Sequence, residues 1–168
     1  FLFITNGLRL TEKVIDCIKD LAPQIQISID GYKERHDKIK IMPKHENVST
    51  YDLIIHNLKN ICNYDNMHVV LRLNYDEQTL KNVGEILSDI DDIDRSKISI
   101  HFERVWQTKR CVAKPNEALI DAWKLFVSHR FHVTYLNLFP TAASCVSSKF
   151  DQVAISYDGK IFKCTGCD

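Results

Sequence analysis

Polar side chains suited to binding a small ligand occur in three pairs, each at the end of an apolar segment. One residue separates the members of each pair: Ser28 and Asp30, Arg72 and Asn74, His101 and Glu103. Because side chains alternate along a β-strand, both members of a pair would lie on the same face of their strand. Burying such groups without partners costs about 2 kcal/mol or more each. We therefore expect them to pair with one another or to line a wet, ligand-binding mouth.

The residue types indicate what such a mouth would bind. An arginine suits a carboxylate, because its guanidinium can donate two parallel hydrogen bonds, whereas Ser, Asp and Asn suit hydroxyl and amino groups. The set would therefore serve a small zwitterionic ligand that bears a ribose. A surface-facing strand end explains any single pair equally well, but three pairs at equivalent positions favour a binding site.

Three cysteines near the end of the chain form a second candidate site. Thirteen residues separate Cys145 from Gly159, and four more separate that glycine from Cys164, which forms a Cys-x-x-Cys motif with Cys167. No feature marks a secreted protein, so metal-bound or reduced thiols are favoured over disulfides. Zinc with a histidine as its fourth ligand fits this set. A redox pair fits less well, because the motif does not follow a strand and open a helix.

Other reactive side chains have a simpler structural interpretation. His36 and Asp37 lie in a polar stretch at residues 32–48, where we expect solvated side chains. The remaining three cysteines lie on or beside helical patterns, and we expect them to be small buried core residues: Cys17, Cys62 and Cys111.

Two kinds of segment alternate along most of the chain and would position these groups. Short apolar runs predict strands at residues 1–5, 24–29, 68–73, 97–105 and 131–136. Apolar residues at helical spacing predict helices that begin near residues 11 and 50 and that span 77–90 and 115–129. Such alternation favours right-handed crossovers and a parallel sheet. We predict an α/β fold, a partial parallel (β/α) barrel with its ligand site at the carboxyl ends of the strands.

The pattern changes near residue 140. Two short runs, at 152–156 and 160–163, flank Asp158-Gly159, and this dipeptide between alternating segments predicts a β-hairpin. We therefore expect two parts, a partial barrel at residues 1–140 and the start of a cysteine-rich module at residues 141–168.

Composition excludes several classes of partner. The 168 residues are 45% hydrophobic and carry 22 basic and 22 acidic side chains, so no net field attracts nucleic acid or an anionic membrane. No apolar run approaches the roughly 20 residues of a membrane span, and no signal peptide is present, so we expect a cytoplasmic protein. The chain opens directly on a strand and closes on a cysteine pair, which favours an internal piece of a longer protein.

Several short motifs resemble the middle of radical S-adenosylmethionine (radical SAM) enzymes. They are Thr5-Asn6-Gly7 at a strand end, then Ser28-Ile29-Asp30-Gly31 followed by His36-Asp37, and then Arg72-x-Asn74. The resemblance implies that Ser28, Asp30, Arg72 and Asn74 line the amino acid and ribose moieties of S-adenosylmethionine, with Asn6 in the same mouth. Tyr32 stands where a proline is common, and the C-x-x-x-C-x-x-C motif of the catalytic cluster is absent.

The spacing Cys145-x13-Gly159-x4-Cys164 resembles the opening of the SPASM module, a cysteine-rich extension of radical SAM enzymes that modify peptides or proteins. The resemblance implies that Cys145 and Cys164 ligate an auxiliary [4Fe-4S] cluster, with Cys167 a weaker candidate. The longer parent would reductively cleave S-adenosylmethionine to a 5′-deoxyadenosyl radical that attacks a peptide or protein substrate. The isolated fragment would be inactive, and no catalytic residue is assigned.

Other functions remain open from the residues alone. The chain could be a zinc-stabilised α/β binding module without chemistry of its own, or a barrel lyase or hydrolase that uses Glu103 and His101. A barrel that lacks strands would expose sheet edges, which could pair two copies of the fragment.

Overall fold

The computed structural model describes residues 2–21, 24–42, 48–105, 117–134, 154–155 and 159–162. Two compact units make up the chain, Phe1–Tyr135 and Leu136–Asp168. Within the described ranges, no helix has the length and apolar character that crossing a membrane requires.

The first unit contains a five-stranded parallel sheet, so the predicted α/β class is confirmed. Its strands follow the order β1-β2-β3-β4-β5, and all neighbours are parallel. The bounds are Leu2–Thr5 (β1), Gln24–Ile29 (β2), His68–Tyr75 (β3), Ile98–Arg104 (β4) and His132–Thr134 (β5). Strands that follow one another in sequence and in space, joined by right-handed crossovers, place their connecting helices on one side of a sheet.

Six helices occur in the described residues. They are α1 (Glu12–Ile18), α2 (Lys33–Ile39), α3 (Thr50–Cys62), α4 (Glu77–Lys81), α5 (Val83–Ile90) and α6 (Glu117–Ser128). Together with the strands they bury a single hydrophobic cluster. In α3, the side chains of Ile54, Leu58 and Ile61 are almost fully buried, at the spacing of one helix face.

Alternation along the central strands separates an aliphatic face from a polar one. Ile25, Ile27 and Ile29 of β2 are fully buried, whereas the side chains between them are half-buried. Strand β3 repeats this alternation over all eight residues. The buried members of both strands belong to the same cluster as the helix residues. The helices therefore pack against the aliphatic face.

Helix α2 lies within residues 32–48, a polar stretch in which no helix was predicted. Its sequence, KERHDKI, has one buried residue, His36, so it lacks the apolar repeat by which helices are recognised. Cys17 also differs from the prediction, because it is exposed, whereas Cys62 is buried as expected.

The predicted helix at 77–90 is divided into α4 and α5 at Asn82. The Asn82 side-chain amide donates to the Gln78 carbonyl over 2.9 Å, and this carbonyl would accept the backbone N–H of Asn82 in a continuous α-helix. The Asn82 N–H bonds to the Thr79 carbonyl instead, at 3.1 Å. An asparagine that competes with the backbone in this way interrupts a helix.

The second unit contains the predicted β-hairpin in a shorter form. Strands β6 (Ala154–Ile155) and β7 (Ile161–Phe162) are antiparallel, and Gly159 between them has a φ of 81°. Cys145, Cys164 and Cys167 lie outside the described residues, and so does Cys111.

Candidate functional site

The parallel register brings the three predicted polar pairs together. Ser28 of β2 pairs with Arg72 of β3, and Arg72 pairs with His101 of β4. One pleat further along, Asn74 pairs with Glu103. Neighbouring strands are about 4.8 Å apart, so these side chains are direct neighbours. We call this set the polar face: Ser28, Asp30, Arg72, Asn74, His101 and Glu103.

Asp30 and Asn74 form one half of the polar face. The Asn74 amide donates to Asp30 Oδ1 over 2.9 Å. Lys40, just after α2, places its ammonium 3.5 Å from the other carboxylate oxygen of Asp30. The carboxylate of Asp30 is thus held in one orientation by an amide and a cation, and only 18% of its side chain is exposed.

His101, Glu103 and Arg72 form the other half. His101 Nε2 lies 3.3 Å from Glu103 Oε2, and His101 Nδ1 lies 3.1 Å from Thr134 Oγ1 of β5. Arg72 Nη2 is 3.9 Å from the same Glu103 oxygen. One carboxylate oxygen therefore lies between a guanidinium and an imidazole.

The guanidinium of Arg72 keeps hydrogen-bonding capacity for a ligand. Its 3.9 Å approach to Glu103 is too long for a hydrogen bond. Its Nε atom is buried and has no hydrogen-bond partner among the described residues. The side chain as a whole is 34% exposed, so its terminal N–H groups can donate to an anionic ligand group.

A histidine in α2 holds the loop that carries Asp30. His36 is 1% exposed, so the expectation that its side chain is solvated is wrong. Its Nδ1 accepts the backbone N–H of Asp30 over 3.0 Å, which ties the end of β2 to α2. Its ring also packs edge-on against Tyr51, with 5.9 Å between ring centroids. The residues around His36 show no apolar repeat that would indicate this burial.

Gly31 allows the chain to turn directly after Asp30. Its φ of 93° lies in the left-handed region, and a Cβ atom there would lie 2.7 Å from Thr79 Oγ1. Both facts require glycine at this position. The Asp30-Gly31 dipeptide therefore has a structural role as well as a candidate ligand role.

Asp37, the neighbour of His36, binds the start of α3. Its carboxylate accepts from Ser49 Oγ (2.7 Å), from the Tyr51 N–H (2.9 Å) and from Thr50 Oγ1 (3.1 Å). Burial opposes ionisation of this group, but the three hydrogen bonds outweigh it and lower the pKa of Asp37. The positive end of the α3 helix dipole also stabilises the negative charge of Asp37.

Thr5-Asn6-Gly7 forms a tight turn after β1. Thr5 Oγ1 accepts the Gly7 N–H and Asn6 Oδ1 accepts the Leu8 N–H, both at 3.2 Å. The buried amide of Asn57 donates to the Gly7 carbonyl over 2.8 Å. Asn6 itself is exposed, and its side chain serves this turn rather than joining the contacts within the polar face.

The described cysteines do not form a metal site. Burial raises the pKa of the Cys62 thiol to about 12, which makes it a poor nucleophile. Among the residues that the structure describes, no three His, Cys, Asp or Glu side chains are grouped closely enough to hold a metal ion. The predicted site at Cys145, Cys164 and Cys167 lies outside that part and stays a prediction.

Comparison with known proteins adds no assignment. No family model matches the chain, and no curated protein matches its sequence. The functional proposal therefore rests on the polar face and on the sequence motifs that contain its residues.

Replacing Gly31 by alanine should destabilise the protein by about 2 kcal/mol or more, because alanine is strained at positive φ. Gly84 in α5 is the matched control, since a Cβ there would meet nothing within 4 Å. Gly84→Ala should stabilise the protein by up to about 1 kcal/mol. Urea unfolding of both variants measures the difference, and equal free energies of unfolding would contradict the turn described for Gly31.

Stability should fall as the pH falls below 6.5. Burial lowers the pKa of His36, the carboxylates of Asp30 and Asp37 oppose this shift, and Lys40 adds to it. Between the unfolded value of 6.5 and the lower folded value, the unfolded chain binds more protons, so acid favours unfolding. At lower pH the contribution of Asp37 is lost as well, below its unfolded value of 3.8 and through its lowered folded pKa.

His36→Asn provides the control for this pH dependence. The asparagine oxygen can take the place of Nδ1 as acceptor for Asp30, but the side chain does not titrate. In this variant, the unfolding free energy measured across the acidic range should no longer decrease just below pH 6.5. It should still decrease at the lower pH at which Asp37 becomes protonated. An unchanged profile would show that His36 is not the group that responds.

Proposed function

We propose that this chain is part of a radical SAM enzyme that reductively cleaves S-adenosylmethionine in order to modify a peptide or protein. The proposal rests on the order and spacing of the motifs, from Thr5-Asn6-Gly7 to Arg72-x-Asn74 and then Cys145-x13-Gly159-x4-Cys164. We assign the complete reaction to a longer protein that includes this chain, because the C-x-x-x-C-x-x-C motif of the catalytic cluster is not in it.

The observation that carries the proposal is the meeting of Ser28, Asp30, Arg72 and Asn74 on one face of a parallel sheet. S-adenosylmethionine carries a carboxylate, an ammonium group and ribose hydroxyls. The guanidinium of Arg72 is partly exposed and lies no closer than 3.9 Å to Glu103, so it can donate to the carboxylate. The Asp30 carboxylate and the Asn74 amide can accept from and donate to hydroxyl groups. The residues of the polar face therefore fit this ligand.

The reduced catalytic iron–sulfur cluster would supply the electron that cleaves the sulfonium bond, which releases methionine and the 5′-deoxyadenosyl radical. In the chain itself, Cys145 and Cys164 are the residues we propose as ligands of an auxiliary cluster, with Cys167 as a third thiolate. The hairpin of β6 and β7 supports this assignment, because its turn at Gly159 lies between the two cysteines in sequence. What the polar face contributes is binding and orientation of the cofactor.

The first test uses the full-length parent, purified without oxygen and supplied with iron and sulfide. We expect more iron than one four-iron cluster can account for, and 5′-deoxyadenosine after addition of dithionite and S-adenosylmethionine. About one zinc ion per chain and no cleavage product would refute the radical assignment. That result would favour a zinc-stabilised binding module instead.

Arg72→Lys in the same parent tests the polar face. Lysine keeps the charge but loses the fork of donors, and a lost charge-assisted hydrogen bond is worth about 1.5 to 3 kcal/mol. The KM for S-adenosylmethionine should rise about tenfold or more. Lys13→Ala, an exposed change on α1, should leave it unaltered. Equal KM values in the two variants would show that Arg72 does not bind S-adenosylmethionine.

A further inference from the structure

A histidine holds the main chain of Asp30 just outside the sheet. The pairing of β2 with β3 ends at Ile29, so Asp30 lies one residue beyond it. The backbone N–H of Asp30 donates to His36 Nδ1 over 3.0 Å. Asn74 and Lys40 contact the carboxylate of Asp30, whereas His36 holds its backbone.

The donor in this contact determines the protonation state of His36. A backbone N–H can only donate, so Nδ1 must carry a lone pair and no hydrogen. In the neutral ring the hydrogen is then on Nε2, which is buried and has no hydrogen-bond partner among the described residues. An imidazolium carries hydrogen on both nitrogens. The bond to Asp30 therefore exists only while His36 is unprotonated.

Charged groups of both signs surround the ring of His36. Burial has the largest effect and lowers the pKa of His36, the carboxylates of Asp30 and Asp37 oppose this shift, and the ammonium of Lys40 adds to it. Tyr51 of α3 packs against the ring and is uncharged at neutral pH, because burial raises the pKa of its phenol. The ring is therefore neutral at pH 7 and accepts protons in acid.

We propose that His36 is a positioning residue for S-adenosylmethionine and that protonation of its ring weakens binding of the cofactor. On protonation, Nδ1 gains a hydrogen that faces the N–H of Asp30, so the hydrogen bond is lost and two donors oppose each other. This role rests on the proposed function, whereas the bond and the tautomer of His36 do not.

The carboxylate of Asp30 connects His36 to the polar face. It accepts from the Asn74 amide over 2.9 Å, and a displacement of about 1 Å would take the two groups out of hydrogen-bonding range. Release of the Asp30 backbone would therefore separate the carboxylate and the amide that we propose as partners of the cofactor hydroxyls. His36 acts on the site through Asp30 and has no contact with the cofactor itself.

Nitrogen NMR of the 168-residue chain with labelled histidine tests the tautomer. His36→Asn identifies the His36 signals by their loss. At neutral pH we expect hydrogen on Nε2 and none on Nδ1. Hydrogen on Nδ1 would overturn the proposal, because the ring could not then accept from Asp30.

The role in binding is tested by equilibrium dialysis of S-adenosylmethionine with the full-length parent, without a reductant, so that no cofactor is cleaved. Below the folded pKa of His36, the Kd should rise by up to about tenfold per pH unit, since the ring must lose a proton for the cofactor to bind. In His36→Asn the oxygen still accepts from Asp30, so affinity at neutral pH should persist and this rise should disappear. His56→Asn, the same change at an exposed histidine of α3, should keep the rise.

Circular dichroism identifies the pH values at which the parent and both variants are folded, and the Kd values are compared there. An equal rise in the unaltered parent and in His36→Asn would overturn the role. Calorimetry of the unaltered parent in buffers of different ionisation enthalpy needs no variant. Binding in acid should release up to about one proton per cofactor, and binding without proton release would also overturn the role.

Failure of the proposed function gives a different result. If the unaltered parent does not bind S-adenosylmethionine at neutral pH, the proposed function fails, and the role of His36 toward this cofactor fails with it. The nitrogen spectra of the chain still decide whether His36 Nδ1 accepts from Asp30.

Discussion

The structure depends on the strict alternation of side chains along three adjacent parallel strands. In β2, β3 and β4, one set of positions is apolar and forms the core with the helices, and the other set carries the polar groups together with Val70. The register aligns these sets across the sheet, so that Ser28, Arg72 and His101 form one row. Shifting one strand by a single residue would exchange its faces, burying charged groups and exposing isoleucines. The packing of the core therefore determines which strand side chains lie on the polar face.

Around Asp30, the same residues stabilise the fold and arrange the candidate site. Gly31 permits the turn, and His36 accepts the backbone N–H of Asp30. Asp37 then binds the first turn of α3, and α3 in turn donates from Asn57 to the turn after β1. Two turns that follow neighbouring strands are thus connected through α2 and α3. The orientation of Asp30 is set by these contacts as well as by Asn74 and Lys40.

Much of the fold could be predicted from the sequence, because the central strands and α3 have clear apolar periodicity. Strand β2 was predicted with the bounds that the structure shows, and the polar pairs do share one face. Helix α2 was missed, since its only buried residue is a histidine. The roles of Thr134 and Lys40 could not be foreseen either. Both depend on the spatial register between elements distant in sequence, which no local pattern encodes.

The bonds from Asp37 to Ser49, Thr50 and Tyr51 have a practical consequence. They join the C-terminal half of α2 directly to the start of α3, across the twelve to fourteen positions that separate these residues in sequence. The geometry of the two helices is thereby set by a carboxylate and not by the length of the chain between them. Lengthening a connection whose ends are already held together costs little entropy. The arrangement of α2 and α3 should therefore tolerate a change in the length of their connection better than a change at Asp37.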